Sequence, residues 1–135
     1  MAEISAAAQR MWDDDAASGK LGMQLHEAVD GHARLTMTVT DEMVNGHGMC
    51  HGGYLFMLAD SAFACACNSP GPVAVAAAAD IVFVASARTG DVLEAVATER
   101  VAFGRSGVYD VTVARPRDGQ VIAEFRGRSR VLHSG

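Results

Sequence analysis

Hydrophobic and polar residues alternate with a period of two over most of the second half of the chain, the pattern of half-buried β-strands. The alternating segments are residues 73–84, 91–103, 107–115 and 120–132. Residues 23–39 also alternate, and Asp30-Gly31 supplies a tight turn within them. Asp118-Gly119 supplies a similar turn before the last strand, so neighbouring strands are expected to be antiparallel. The pattern therefore predicts six strands in an antiparallel sheet.

Two segments depart from this alternation and predict helices. Residues 2–17 place Ile4, Ala8 and Met11 at helical spacing, which indicates a helix on the surface. Residues 53–68 are apolar on nearly every side and rich in Leu, Met and Ala, which favours a buried helix. An antiparallel sheet wrapped around this one long helix is the simplest arrangement that hides it.

Length and composition narrow the class of protein. The chain has 135 residues, 50% of them hydrophobic, which predicts a single domain over residues 1–135. No apolar stretch approaches the roughly 20 residues that cross a bilayer, and the three cysteines fit a reducing cytoplasm better than a disulfide framework. The net charge of −5 gives no reason to expect nucleic acid as a partner. We therefore expect a cytoplasmic protein that binds neither membrane nor nucleic acid.

Asp60 is the anomalous residue of the predicted buried helix. Its neighbours Leu58, Ala59 and Ala62 are apolar, and an unpaired carboxylate is costly to bury. One interpretation is a general base or nucleophile with a raised pKa in a cleft. The other is a structural carboxylate, bonded to a loop amide or placed at an oligomer contact.

Glycines precede this helix in the sequence His51-Gly52-Gly53. The start of a helix carries unpaired N–H groups and a partial positive charge, and glycine lets a ligand approach the backbone. Gly52 and Gly53 are thus candidate oxyanion-hole donors, although two glycines can also merely permit a tight turn. At about 1.5 Å per residue, Asp60 lies roughly 12 Å along the helix from Gly52. If both act on one substrate carbonyl, they must come from different chains across a two-fold interface.

Other candidate chemistry is weaker. His47 and His51 flank Cys50 and have the types of zinc ligands, but their spacing matches no standard site, so no metal is expected. Cys50 has no evident orienting partner for a nucleophile, and Cys65 and Cys67 are expected to be packing residues. No phosphate-loop or dinucleotide-binding glycine pattern is present.

The segment VNGHGMCHGG followed by YLFMLADSAFACACNS resembles the signature of the phenylacetic-acid-degradation branch of hotdog-fold acyl-CoA thioesterases. LGMQL, LTMTVTDEMVNGH, GVYDV and FRGRSR also resemble that family in order and spacing, so the resemblance covers nearly the whole chain. It implies an α+β hotdog fold and hydrolysis of aryl-acetyl-CoA type thioesters, such as phenylacetyl-CoA or ring-hydroxylated forms. Coenzyme A is then part of the substrate, and no separate cofactor is expected. The resemblance further implies a homodimer with an intersubunit active site, pairing into a homotetramer.

Individual roles follow from the same resemblance. Asp60 matches the catalytic carboxylate, Gly52 the glycine whose amide polarises the thioester carbonyl, and Asn45 the residue that places the carbonyl or the attacking water. His51 matches the motif histidine, whose implied role is to orient the loop. A Ser or Thr that some relatives use in the strand after the helix is not evident, since alanines fill positions 76–79. Whether Asp60 activates water or forms a transient anhydride stays open.

Two further residues are candidates for substrate binding. Gly53 adds a second amide near the carbonyl, and Arg105 is a candidate contact for the CoA phosphates, with Arg126 and Arg128 as further cations. An ordinary solvated charge is the alternative for each arginine.

Two rival functions share the fold. A non-hydrolytic acyl-CoA binding or sensing protein is the main alternative, because fold does not fix function, yet binding alone would not need Asp60. A hydratase or dehydratase would pair its acid with a catalytic histidine, and no histidine follows Asp60 before His133.

Overall fold

The computed structural model describes residues 3–132, so Ala2 and His133 lie outside the described residues. A short 3-10 turn, Asp41–Met43, precedes the long helix. The helices are α1 (Ala6–Asp13), α2 (Ala16–Lys20) and α3 (Gly52–Asn68). The strands are β1 (Gln24–Val29), β2 (His32–Thr38), β3 (Ala74–Phe83), β4 (Val92–Phe103), β5 (Ser106–Arg115) and β6 (Gln120–Val131).

The six strands form one antiparallel sheet in the order β1-β2-β4-β5-β6-β3. Alternate residues of the central strands point to one face and are buried, as the period of two predicts. Helix α3 packs against that face, where the fully buried Leu58 and Phe63 join Leu93, Val111 and Ile122. The predicted α+β arrangement of a sheet around one long helix is therefore confirmed.

Tight turns set the register of the predicted hairpins. Asp30 and Gly31 link β1 to β2 with φ of 53° and 79°, two positive values in succession. Such a two-residue turn matches the right-handed twist of the strands that it joins, and glycine adopts it without steric cost. Gly119, with φ of 73°, plays a similar part between β5 and β6.

The N-terminal segment differs from the sequence prediction. We expected one helix over residues 2–17, whereas α1 ends at Asp13 and a second helix starts at Ala16. The break arises because the Asp15 side chain accepts a hydrogen bond from the Ser18 N–H at 2.9 Å and so caps α2. A short polar side chain in this role competes with continuation of the preceding helix.

Helix α3 is not covered on all sides, contrary to its expected complete burial. Gly53 is exposed, and Met57, Asp60 and Ala64 are half-buried. Their spacing of three to four residues places them on one side of the helix. The sheet therefore leaves one stripe of α3 open, and Asp60 lies within it.

One edge of the sheet is covered by the N-terminal segment, and the other edge is exposed. The N-terminal segment lies along β1, where Ser5 and Ala28 form a backbone hydrogen bond of 2.8 Å. Strand β3 pairs only with β6 among residues 3–132, and its residues 75–80 are exposed. An apolar edge strand with unpaired backbone groups is a template for pairing with another strand.

No helix among residues 3–132 is long and apolar enough to cross a membrane.

Candidate active site

The loop before α3 is organised by Asn45. Its Oδ1 accepts hydrogen bonds from the backbone N–H groups of His47 at 2.9 Å and Met49 at 3.2 Å. Gly48 closes the turn with φ of 75° and donates to the Asn45 carbonyl oxygen at 3.0 Å. Because both partners of the side-chain oxygen are donors, the amide orientation is determined and Nδ2 is left as a donor. Asn45 lines a cleft at the start of α3, where that donor can meet a carbonyl oxygen.

His51 caps α3 and orients its first turn. Its Nδ1 accepts a hydrogen bond from the Gly53 N–H at 2.9 Å, and its own backbone N–H donates to the Met43 carbonyl at 2.7 Å. Because Nδ1 accepts this hydrogen bond, Nε2 is the ring nitrogen left to donate. This position suits the orienting role implied for His51. The same hydrogen bond occupies the Gly53 N–H. We had expected this amide to bind the substrate, but in the structure it is already bonded to His51.

Gly52 keeps a free amide at the same helix end. Its N–H has no hydrogen-bond partner among residues 3–132. An ideal Cβ built on Gly52 would lie 2.9 Å from Cζ of Phe83, closer than such atoms approach in proteins. Glycine is therefore required here for the Phe83 ring to lie against the start of the helix. The result is a single unpaired donor that carries the partial positive charge of the helix terminus.

Gly52 and Asn45 open onto the same cleft, which has a volume of about 470 Å³. Its remaining walls are largely apolar, contributed by the loop, by α3 and by the end of β3, namely Met49, Cys50, Leu55, Phe83, Val84, Ala85 and Ser86. Two hydrogen-bond donors on residues that line one apolar cleft are suited to bind a carbonyl oxygen. Phe83 and the residues after it gave no signal in the sequence, because only the tertiary fold brings the end of β3 to the helix.

Asp60 lies outside this cleft, on the third turn of α3. Burial raises the pKa of its carboxyl, and the nearby negative charge of Asp15 raises that pKa further. The roughly 12 Å between Asp60 and Gly52 along a regular helix holds in the structure, because α3 is continuous from Gly52 to Asn68. The two groups therefore do not face one carbonyl within one protomer.

The arginines proposed as phosphate contacts are distributed differently from the expectation. Arg105 lines a separate pocket with Cys67, at the opposite end of α3 from Gly52. Arg126 binds the carboxylate of Asp110 through two hydrogen bonds of 2.7 and 2.9 Å. The structure thus brings neither residue to the cleft.

Arg88 is a cation near the cleft that sequence reasoning missed. Its guanidinium Nη1 lies 3.9 Å from the place of a Cβ on Gly48, so it lies over the Asn45 loop. The side chain is exposed and forms no salt bridge among residues 3–132. An exposed arginine outside the strands and helices has no sequence pattern that distinguishes it from any other surface arginine.

Metal ligands and the Cys50 thiol are the other candidate reactive groups of this region. The part of the chain that the structure describes contains no group of three His, Cys, Asp or Glu residues placed to hold a metal ion. Cys50 lines the cleft, but burial raises the pKa of its thiol to about 11. A thiol with that pKa is protonated near neutrality and is a poor nucleophile.

Comparisons with known proteins give the class to which this fold and site belong. The thioesterase superfamily profile matches residues 47–122. The chain is 45% identical to acyl-coenzyme A thioesterase PaaI of Escherichia coli (strain K12) over 122 residues, covering 90% of this chain and 86% of that protein. The chain therefore belongs to the thioesterase superfamily.

Solved structures agree with this assignment. The E. coli PaaI protein from the phenylacetic acid degradation operon matches with a TM-score of 0.91 and 43% identity, over 94% of this chain and 91% of that chain. A Streptococcus mutans UA159 protein solved with acetyl CoA matches with a TM-score of 0.78 and 28% identity, over 82% of this chain and 88% of that one. The hotdog fold, the resemblance to the phenylacetic-acid-degradation branch and the expectation of an enzyme that hydrolyses thioesters are confirmed.

Replacement of Cys50 tests whether the cleft thiol takes part in the chemistry. We expect Cys50→Ala to change kcat/KM by less than about threefold, because a buried thiol with a raised pKa supplies no thiolate. Steady-state thioester hydrolysis at pH 8 measures this. A decrease in kcat/KM of about 100-fold, in a variant that is still folded by circular dichroism, would show that the Cys50 thiol takes part in the chemistry.

Proposed function

We propose that this protein hydrolyses aryl-acetyl-CoA type thioesters, with phenylacetyl-CoA or a ring-hydroxylated form as the substrate, to the free acid and CoA. The observation that carries the proposal is the pair of donors, the Gly52 N–H and Asn45 Nδ2, at the mouth of an apolar cleft. The identity of 45% to a relative named as an acyl-coenzyme A thioesterase supports it. A non-hydrolytic acyl-CoA binder is disfavoured, because binding gains nothing from a half-buried carboxyl with a raised pKa at Asp60.

The mechanism follows from the chemistry of a thioester. Its carbonyl oxygen accepts hydrogen bonds from the Gly52 N–H and from Asn45 Nδ2, which stabilise the negative charge that develops on attack. Asp60 either takes a proton from the attacking water or attacks the carbonyl itself to form an anhydride that water then cleaves. In the first case the proton that Asp60 takes from water passes to the CoA sulfur as the carbon–sulfur bond breaks. In the second case CoA leaves as the thiolate, and the water that cleaves the anhydride restores Asp60 and releases the acid and one proton. Both routes consume one water.

The separation of Asp60 from Gly52 requires a second subunit. If β3 pairs with β3 of a second copy, a two-fold axis perpendicular to the sheet relates the protomers. Both α3 helices then lie on the same face of a continuous sheet and run antiparallel. The start of one helix thereby comes opposite the later turns of the other, so the open stripe of α3 faces the partner's cleft. The exposed Val75, Val82 and Phe83 of β3 support this interface.

The remaining assignments are part of the same proposal. Exposed Val101 and Phe103, at the far end of β4, provide a second apolar surface through which dimers could pair into a homotetramer. The protein is proposed to act in the cytoplasm, as a single domain over residues 1–135, without a separate cofactor or metal. We propose no role for nucleic acid or membranes.

A panel of acyl-CoA thioesters with a thiol-trapping reagent tests the activity. We expect aryl-acetyl-CoA esters to be hydrolysed and Asp60→Asn to lower kcat by at least about 100-fold, because the amide is neither a base nor a nucleophile. The matched control is Asp14→Asn, which removes an exposed carboxylate of the same charge and should leave the rate unchanged. Hydrolysis by Asp60→Asn at the parent rate would refute the mechanism.

Complementation between two inactive variants tests the intersubunit site. Asp60→Asn and Asn45→Ala chains, each with its own affinity tag, are co-expressed and the mixed dimers are isolated. Each mixed dimer contains one intact site and one doubly altered site, so the isolated mixed dimers should recover about one half of the parent activity. If each site lies within one chain, the mixture stays as inactive as its components.

Arg88 is proposed as a contact for the CoA phosphates. Arg88→Ala should raise KM for phenylacetyl-CoA about tenfold with little change in kcat, because the interaction is the same in the ground and transition states. The KM for the N-acetylcysteamine thioester, which lacks the phosphates, should not change. Arg105→Ala is the matched control, and an equal effect of both substitutions would argue against a specific role for Arg88.

A further inference from the structure

A buried hydrogen-bond chain connects α2 to the turn of α3 that carries Asp60. Asp15 Oδ2 accepts a hydrogen bond from Ser18 Oγ at 2.7 Å, and Ser18 Oγ lies 2.8 Å from Ser61 Oγ. Ser18 is 1% exposed and Ser61 7% exposed, and Asp15 at the outer end of the chain is half-buried. Ser61 is the residue directly after Asp60 on α3.

The direction of each hydrogen bond in this chain is determined. A carboxylate only accepts, so the Ser18 hydroxyl donates to Asp15. Because the Ser18 hydroxyl uses its one proton in this bond, the Ser61 hydroxyl must donate to Ser18 Oγ. Two serines therefore link the Asp15 carboxylate to the third turn of α3.

We propose that Asp15, held through Ser18 and Ser61, is a positioning residue of the active site that controls the charge environment of Asp60. This inference rests on the proposed role of Asp60 in thioester hydrolysis. The local sequence supports a dedicated role, because Asp15 interrupts the N-terminal helix and caps a five-residue helix that contains a glycine. Helix α2 has little intrinsic stability of its own and is docked to α3 by this chain.

The charged surroundings of Asp60 are sparse. Asp15 is the one charged group among residues 3–132 that acts on it, and it raises the pKa of Asp60 in addition to burial. Cys67 of α3 also lies within reach of the Asp60 charge, but the pKa of its thiol is about 12 and it stays neutral. No charge on α1, which also packs against α3, acts on Asp60.

Substitution of Asp15 should change the pH dependence of hydrolysis. Asp60 works ionised, and a raised pKa means that this form is lost as the pH falls. Asp15→Asn removes the neighbouring charge, lowers the pKa of Asp60 and keeps a side-chain oxygen to cap Ser18. We expect the acid limb of the kcat/KM profile to move to lower pH, so that the ratio of kcat/KM at pH 5 to that at pH 8 rises above that of the parent.

Two further variants separate charge from structure. Asp15→Glu retains the charge and should keep the parent ratio, whereas Asp14→Asn removes an exposed charge and should also leave it unchanged. An unchanged ratio in Asp15→Asn, or an equal rise in Asp15→Glu, overturns the inference.

Direct titration gives a readout that does not depend on activity. The Asp60 carboxyl is followed by 13C NMR in aspartate-labelled protein, with its signal assigned by its loss in Asp60→Asn. Its midpoint should move to lower pH in Asp15→Asn, and an unmoved midpoint counts against the inference. If the parent protein hydrolyses no thioester of the panel, the proposed function fails, and if Asp60→Asn is fully active, the proposed catalytic role of Asp60 fails. If Asp60→Asn is inactive and the Asp15→Asn profile matches the parent, only the role of Asp15 fails.

Discussion

The packing of α3 against the inner face of the sheet is the interaction on which the rest of this structure depends. Phe63 lies in van der Waals contact with β6, and a Cβ at Gly127 would lie 2.8 Å from its ring, so the helix approaches the strand closely because that residue is glycine. Burial of such aromatic and aliphatic side chains is the main favourable contribution to folding. The same packing determines which side of the helix stays open.

That open side bears on the two groups of the helix proposed to act in thioester hydrolysis, which do not meet in one chain. The first turn presents an unpaired amide at Gly52, and the third turn presents Asp60 on the uncovered stripe. A rigid helix keeps these groups a constant distance apart, so it prevents them from reaching the same atom and favours a site shared between copies. The uncovered β3 edge and the open stripe of α3 are the two surfaces that a partner would cover in the proposed dimer.

Small polar side chains provide the finer organisation around α3. Asn45 folds the preceding loop with its side-chain oxygen and keeps its nitrogen free, and His51 caps the helix while occupying the neighbouring Gly53 amide. Ser18 and Ser61 hold Asp15 beside the third turn. In each case a residue satisfies local backbone or side-chain groups and, by doing so, determines which groups remain available for chemistry.

The sequence by itself determined the strands, the two tight turns, the long helix and the prominence of Asp60 and Gly52. These features depend on local periodicity, on turn chemistry and on motif residues close together in the chain. Only the tertiary structure decided that the N-terminal helix breaks at Asp15, that Gly53 is already bonded and that Arg105 lies far from the cleft. It also brought Phe83 to the helix start and Asp15 to Asp60. Such contacts join residues distant in sequence, and they depend on how the elements pack, which no local pattern of residues records.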